Sequence, residues 1–398
     1  MSGGPSPVLG VVGIGVAGLG VAGRAFLPAI AADPRFRLVA VADPDAEARA
    51  TVAAATNAAA EADLAGLLAR PEVEAVVIAT PTAMHAGHAA AALATGRHVI
   101  VEKPMATRLE EAAAMVAAAE AAGRVLLVGH SHSHDLPVRR MREVIEAGTI
   151  GRVKMMHLWS FTDWVYRPRR PEELDAARGG GVTFRQGAHQ VDILRLLGGG
   201  EVERVSARAF DWDPARPVTG AHTMMLDFRD GAVATAVYSG YGGLPGAELT
   251  GGVTEWGFPA PPPRPVPRRA SGSDEAAAKR KRAGGTDHWN APHQPHFGLL
   301  VVSGERGDLR QTPDGLALYT EAGREEIALG TDRPPHALVL AEFHDAVAGR
   351  AAALHDGRWG MANLEVCAAA LRASETGAPQ ALHHQIAVRA VPRGGRTG

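Results

Sequence analysis

The sequence predicts an α/β protein in two parts: an N-terminal doubly wound parallel sheet, then an α/β domain built on an open-faced, mainly antiparallel sheet. Three observations carry this. Up to residue 129, short runs of Val, Ile and Ala alternate with Ala-rich helical stretches, as strand-helix-strand units do. A glycine-rich turn follows the first such run. Beyond residue 130 the runs lengthen and alternate apolar with polar residues, the pattern of strands with one solvated face. A length of 398 residues, 46% of them hydrophobic and 21% charged, suits two domains, 1–129 and 130–398.

Charge narrows the partner. With 41 basic and 43 acidic residues the formal charge is -2, so no global field points to nucleic acid or an anionic membrane, and a small-molecule substrate is expected. The single cysteine, Cys367, excludes an intrachain disulfide and fits a reducing, cytoplasmic setting. The apolar run Val8 to Ala22 has no Lys or Arg before it and is broken by five glycines. It is also shorter than the roughly 20 residues of a membrane span. Neither a signal peptide nor a membrane helix is expected.

Taken in order, Val11 to Ala17 reads as the first strand and Arg24 to Ala32 as the first helix. Two G-x-G-x-x-G frames overlap between them, Gly13/Gly15/Gly18 and Gly18/Gly20/Gly23. The next strand, Phe36 to Ala42, ends in Asp43, twenty residues after Gly23. That is near the spacing of about 20 expected for a ribose-binding carboxylate, so the second frame is the expected dinucleotide turn. A carboxylate accepts from a ribose 2'-hydroxyl and repels a 2'-phosphate, which favours NAD over NADP without excluding the latter.

After an Ala-rich helix from about Ala46 comes the buried strand Ala75 to Ala79, closed by Thr80-Pro81-Thr82, with a helix running on to Thr95. His85 lies in its first turn, on the same edge as the glycine turn, and is expected to line the cofactor cleft. The strand Val99 to Val101 leads into Glu102-Lys103-Pro104, so these charges sit at a strand's carboxyl end, where open α/β sheets bind ligands. Thr107 to Glu110 spells a capping box for a helix ending at Gly123. Past the strand Arg124 to Val128, the run His130 to Asp135 carries three histidines. On an extended segment His130 and His134 would share one side and His132 the other, so the run is read as closing the substrate cleft rather than binding metal, with His130 as a substrate contact.

The antiparallel strands of the second part are Val153 to Trp164, Val202 to Asp211, His222 to Phe228, Ala232 to Ser239 and Leu299 to Ser303, with Arg229-Asp230-Gly231 as a hairpin turn. Such a sheet leaves a face to cover, and a second copy of the chain is the expected cover, making a homo-oligomer. Residues 259–285 turn to proline, alanine and a basic cluster with Lys279, Arg280, Lys281 and Arg282, read as a solvated insertion. Two helices, near Ala337 to Ala348 and Ala362 to Glu375, close the chain.

Gly179 to Asp192 is the most informative stretch. A helix from Gly187 would carry His189 and Asp192 on one stripe, its histidine at the first turn after a flexible glycine run. Glu102-Lys103-Pro104, the glycine turn, Thr80-Pro81 with His85, and Gly187/His189/Asp192 together resemble the Gfo/Idh/MocA oxidoreductases, across nearly the whole chain. The resemblance implies a Rossmann domain followed by an open-faced α/β domain, with a nicotinamide between them. It also implies that Lys103 and His189 act on the substrate, and that Gly18, Gly20, Gly23, Asp43, Thr80, Pro81, His85 and Glu102 lie about the cofactor.

Tyr166 to Leu174, Phe184-Arg185-Gln186 and His355 to Gly360 are similar to the phthalate cis-dihydrodiol dehydrogenase branch. One departure stands out: where the family commonly has an aspartate four residues before the histidine, this chain has Arg185. Asp192 or a substrate group must then orient His189.

Oxidising a secondary alcohol removes a hydride to nicotinamide and a proton from the hydroxyl, so a base and a polarising cation must reach one oxygen. His189 suits the base and Lys103 the cation, and which of them takes the proton first stays open. Arg185 and the group Arg167, Arg169 and Arg170 are expected to grip a substrate carboxylate, since guanidinium forks pair with carboxylates. The reading is an NAD(P)-dependent dehydrogenase of a ring alcohol, with a carboxylated cis-dihydrodiol foremost. A sugar or cyclitol dehydrogenase is the alternative within the class, and a non-catalytic NAD(P)-binding sensor the alternative outside it.

Overall fold

The computed structural model describes residues 10–262, 275, 277–279, 290–330 and 334–389. Its first sheet is six-stranded and parallel: β1 (Val12–Ala17), β2 (Phe36–Ala42), β3 (Ala59–Glu61), β4 (Ala75–Ile78), β5 (His98–Glu102) and β6 (Leu126–Gly129), in the order β3-β2-β1-β4-β5-β6. Strand order reverses between β1 and β4, which opens a crevice at the carboxyl ends there. Helices cover both faces, so β4 and the middle of β5 are apolar throughout and fully buried. These helices are α1 (Val21–Ala32), α2 (Ala46–Thr56), α3 (Leu64–Leu68), α4 (Thr82–Ala94) and α5 (Leu109–Ala122).

Two local readings shift. Helix α1 begins at Val21 rather than Arg24, so Gly20 is its N-cap and Gly23 lies inside it. The cap of α5 forms one residue on from the expected box: both the backbone N–H and the hydroxyl of Thr107 donate to Glu111, at 3.1 and 2.9 Å. At the other end Gly123 stops α5 with φ +59°, a left-handed conformation glycine adopts without strain.

The second sheet has nine strands: β7 (Val153–Phe161), β8 (Val202–Phe210), β9 (Ala221–Phe228), β10 (Val233–Ser239), β11 (Leu299–Gly304), β12 (Gly307–Thr312), β13 (Gly315–Thr320), β14 (Gly323–Ala328) and β15 (Gln380–Ala381). Their order is β14-β13-β12-β11-β7-β10-β9-β8-β15, and every neighbouring pair is antiparallel except β7 with β10. The meander β12 to β14 escaped the sequence reading because each strand starts on a glycine and β14 is exposed along most of its length. Its stability comes from ladder bonds and from Leu309, Leu316 and Leu318, which are buried in the main core.

Helices α6 (Leu136–Glu146), α7 (Val182–Arg185) and α8 (Gly187–Leu197) lie between β6 and β8, and two more, Pro335–Val347 and Gly357–Thr376, follow β14. Gly357–Thr376 packs on β8, α5 and α8. Pro335–Val347 returns to the first sheet, where Val339, Leu340 and Phe343 join Ile14, Phe26 and Phe36 in one cluster. A larger core runs without a break from Ile78 and Val101 of the first sheet to Met156 and Leu226 of the second. The two sheets are therefore held at a fixed mutual position, and with them the cleft between.

The other face of the nine-stranded sheet is open. Strand register puts Met155, Trp159, Met225 and Tyr319 on it, with 37 to 50% of each exposed. No helix of the described residues is long and apolar enough to cross a membrane.

Candidate active site

The crevice at the switch point begins with the glycine turn. Gly18 has φ +93°, and a Cβ there would sit 2.5 Å from the Ala79 carbonyl oxygen, while one on Gly23 would sit 1.9 Å from the Gly18 carbonyl oxygen. The turn is therefore closed to side chains, and its backbone is free to approach a pyrophosphate at the start of α1. Gly13 and Gly15 play another part. They lie inside β1, where added methyls would strike Glu72 and Leu67, so the second glycine frame is the one that turns. Asp43, at the end of β2, accepts the Leu19 backbone N–H at 2.7 Å and the Asp45 N–H at 2.9 Å. It lines a hollow with Gly20, Arg24, Asp45 and Glu47, a place for a ribose. These groups fit a dinucleotide.

This hollow shares Gly20, Val21, Arg170 and Lys279 with a second cleft of about 1130 Å³, open to solvent. Thr80, Pro81, Glu102, Lys103, Arg185 and His189 all line it. Segments 82 residues apart thus meet: Lys103 Nζ donates to the main-chain carbonyl of Arg185 at 2.9 Å. Burial lowers the amine to about 8, against an opposing pull from the neighbouring Glu102. Burial also raises the Glu102 carboxyl to about 7, Lys103 opposing. His189 opens α8 and is held well below the ordinary histidine range, first by burial and then by Lys103, His132 and His130. It is a neutral imidazole. Arg185 Nε, Gln186 Oε1 and His189 Nδ1, on residues that line the cleft, are buried without hydrogen-bond partners, a state that groups poised for a ligand can occupy.

His85 lines the cleft but is 1% exposed. Its ring nitrogens lie 2.9 Å from the Pro104 carbonyl and 2.8 Å from that of Thr80. It braces two strand ends, and burial lowers it to about 4.

Three expected substrate contacts are not at the cleft. Asp192 is fully buried and accepts from Trp359 Nε1 at 2.6 Å and Asn363 Nδ2 at 2.9 Å. It does not orient His189: one helical turn carries it into the packing behind α8. His130 lies beside it, its Nδ1 3.9 Å from the Asp192 carboxylate and its Nε2 3.1 Å from Asn363 Nδ2. Arg169 is stacked over Trp164 at 4.0 Å and bonded to the Trp164 carbonyl and to Glu173, so it props the wall from behind. Arg170, next in sequence, faces the cleft instead.

The histidine run corrects its own reading. Ser131–His134 is a turn of 3₁₀ helix, not extended chain, so His132 faces the cleft and His130 does not. His132 Nδ1 lies 2.9 Å from Asp135 Oδ2 and its Nε2 3.5 Å from Glu255 Oε1. Burial pulls His132 down, but the two carboxylates outweigh it and hold the ring at about 9. Edge-to-face contact with His189, centroids 4.6 Å apart, joins the two rings.

The sequence reading missed most of the opposite wall. Glu172, Glu173, Gln186, Glu255, Trp256 and Lys279 line it. Burial would raise Glu173, but Lys279, Arg169 and Arg185 bring it down to about 2. Lys279, expected to be solvated, is ion-paired with Glu173, and Glu275 of the same insertion pairs with Arg216. Arg280, Lys281 and Arg282 lie outside the described residues. Glu172, Glu173 and Gln186 fall in stretches the sequence marked by their likeness to a family branch, and Lys279 in its basic cluster; Glu255 and Trp256 sit in a loop with no such signal.

The family model for oxidoreductases with an NAD-binding Rossmann fold, GFO/IDH/MocA, matches residues 12–130, and the model of the GFO/IDH/MocA C-terminal domain matches 138–245. The chain is 39% identical to 1-carboxy-3-chloro-3,4-dihydroxycyclohexa-1,5-diene dehydrogenase of Comamonas testosteroni, over 89% of this chain and 92% of that one. It is 35% identical to inositol 2-dehydrogenase 3 of Saccharopolyspora erythraea, over 40% of this chain and 45% of that one. Among solved structures it superposes on a protein of Bordetella bronchiseptica RB50 assigned as a dehydrogenase, with TM-score 0.88 and 38% identity over 93% of this chain and all of that one.

Proposed function

We propose a substrate and a division of labour from one premise: the chain belongs to the Gfo/Idh/MocA family of oxidoreductases with an NAD-binding Rossmann fold. It is an NAD-dependent oxidoreductase acting on a carbinol carbon, and dehydrogenase relatives leave the sensor reading without support. The proposed substrate is a carboxylated ring diol of the cis-dihydrodiol kind. Arg185 carries this reading, because it lines the same cleft as Lys103 and His189 with its Nε unbonded and its nearest carboxylate, Glu173, a loose 4.0 Å from a terminal nitrogen. A substrate carboxylate is the natural partner for it. The Comamonas relative acts on a ring that bears both a carboxyl group and vicinal hydroxyls.

The glycine turn, α1 and Asp43 hold the dinucleotide, which when bound takes up the hydride of the carbinol C–H. Lys103 takes the hydroxyl proton. An amine at about 8 is the stronger base and passes through its neutral form near working pH, whereas His189 is too weak a base to compete. His189 stays neutral and fixes the hydroxyl by hydrogen bonding. The Arg185 main-chain carbonyl steadies Lys103, while His189 Nδ1 has no protein partner, which leaves the orienting role of the family aspartate to a substrate group. Losing a hydride and a proton turns the carbinol into a ring ketone, whose enol form is aromatic when the ring is a cyclohexadiene.

Two copies facing each other across Met155, Trp159, Met225 and Tyr319 are the proposed assembly, in the cytoplasm. The substrate reading is tested by following reduced nicotinamide with carboxylated dihydrodiols, uncharged dihydrodiols and cyclitols. Arg185→Met should raise KM for the carboxylated diol by about 10- to 100-fold, the worth of a hydrogen bond to a charged group, with kcat within a few-fold. An unchanged KM would sink the carboxylate.

A further inference from the structure

We propose that this chain carries a divalent-metal site, separate from the hydride chemistry, formed by His134, Glu342 and His355. The three come from distant segments: the turn after β6, the helix Pro335–Val347, and the stretch before Gly357–Thr376. One ligand atom from each lies within 4.8 Å of the others. Glu342 Oε2 stands 3.0 Å from both His134 Nε2 and His355 Nδ1. Its Oε1 is 3.2 Å from His355 Nδ1 and accepts the His355 backbone N–H at 2.8 Å.

The far side of each ring decides what fills the gap. His134 Nδ1 lies 3.0 Å from the carbonyl oxygen of His130, which can only accept, so that nitrogen carries hydrogen. The Ser133 hydroxyl donates to the same carbonyl at 3.0 Å and lies 2.8 Å from His355 Nε2, which must therefore donate to it. Both rings thus have a proton committed away from Glu342. If both are neutral, two lone pairs face a carboxylate. If both are charged, two imidazolium rings lie with centroids 4.4 Å apart in the interior, where like charges are poorly screened. With one charged, one lone pair still faces the carboxylate.

A single cation that accepts all three lone pairs removes each conflict. Rings whose second nitrogen donates to a carbonyl or hydroxyl are what metal-binding histidines present. Two imidazoles and one carboxylate suit zinc or a neighbouring first-row divalent ion, with water in a fourth position. Glu342 is the side open to that water, with 16% of its side chain exposed against 2% for His134 and 0% for His355. The ion would pin the two C-terminal helices to the turn that carries His132 into the cleft, a structural role.

The test uses the untagged full-length protein, desalted and assayed for metal by mass spectrometry, then stripped and reloaded with Zn²⁺ or Co²⁺. Expected are about one ion per chain, visible ligand-field bands with Co²⁺, and a higher melting temperature with Zn²⁺ than with chelator. Glu342→Gln and His355→Asn should lose all three, while a His383→Ala/His384→Ala control on exposed histidines keeps them. Wild type that stays metal-free after reloading overturns the site, and this needs no variant to fold. Metal retained by Glu342→Gln, or lost only in the control, overturns it as well.

Discussion

The two walls of the cleft are built in opposite ways. On the first-sheet side the functional groups sit on unbroken strand ends: the glycine turn after β1, Thr80 after β4, and Glu102 with Lys103 after β5. Their positions are fixed by main-chain ladders and by glycines packed against backbone. The facing wall is assembled from segments near 132, 170–173, 185–189, 255 and 279, held by ion pairs that converge on Glu173 and Glu255. A ladder cannot be exchanged for a ligand, whereas an ion pair can give way to one. The first wall is thus suited to an invariant cofactor, and the second to selecting among substrates.

If that division is right, damage to the first wall should be severe and independent of substrate. Lys103→Met is expected to lower kcat by about 10³-fold or more, the scale of losing a general base, with NAD affinity within about 3-fold of wild type by fluorescence titration. Gly23→Ala places a methyl 1.9 Å from the Gly18 carbonyl. Such overpacking should displace the turn at a strain of about 1–3 kcal/mol and raise the NAD Kd by about 10- to 100-fold, with every substrate affected alike.

A pH profile sharpens the comparison. Lys103 must be neutral to accept a proton, so kcat/KM for oxidation should rise as pH increases through about 8. The Glu102 charge raises the amine, and removing it in Glu102→Gln should move that limb to lower pH. A limb that stays in place would detach it from Lys103. Folding stability depends on the same proton. A lysine lowered from 10.5 to about 8 binds fewer protons folded than unfolded within that window, so wild type should gain stability relative to Lys103→Met as pH rises across it.

On the second wall, Lys279→Ala should change KM only about 2- to 5-fold, the worth of about one ordinary hydrogen bond, because Glu173 keeps Arg169 and Arg185 as cationic neighbours when its pair with Lys279 is lost. An effect as large as that of Lys103→Met would erase the distinction between the walls.

The same contrast decides what could be read in advance. The parallel sheet, the turn at Gly18, Gly20 and Gly23, and Lys103 at a strand end were legible, since each rests on periodicity or spacing within one short segment. Asp192 was misplaced for a reason of geometry. Three residues along α8 from His189 suggested a shared stripe, but that stripe turns inward to Trp359 and Asn363. The histidine run was misread because a 3₁₀ turn replaces the alternation of a strand.

The sequence by itself determined the elements of the first sheet and the order of its motifs, because these follow from local propensity and from spacing along one chain segment, and motif likeness named the two residues expected to meet the substrate. Only the tertiary structure decided which arginine faces the cleft, that Lys103 leans on the Arg185 carbonyl, and that His134, Glu342 and His355 converge. Those outcomes depend on burial and on distances between segments up to 221 residues apart, and no one-dimensional pattern encodes the desolvation and through-space charge that set them.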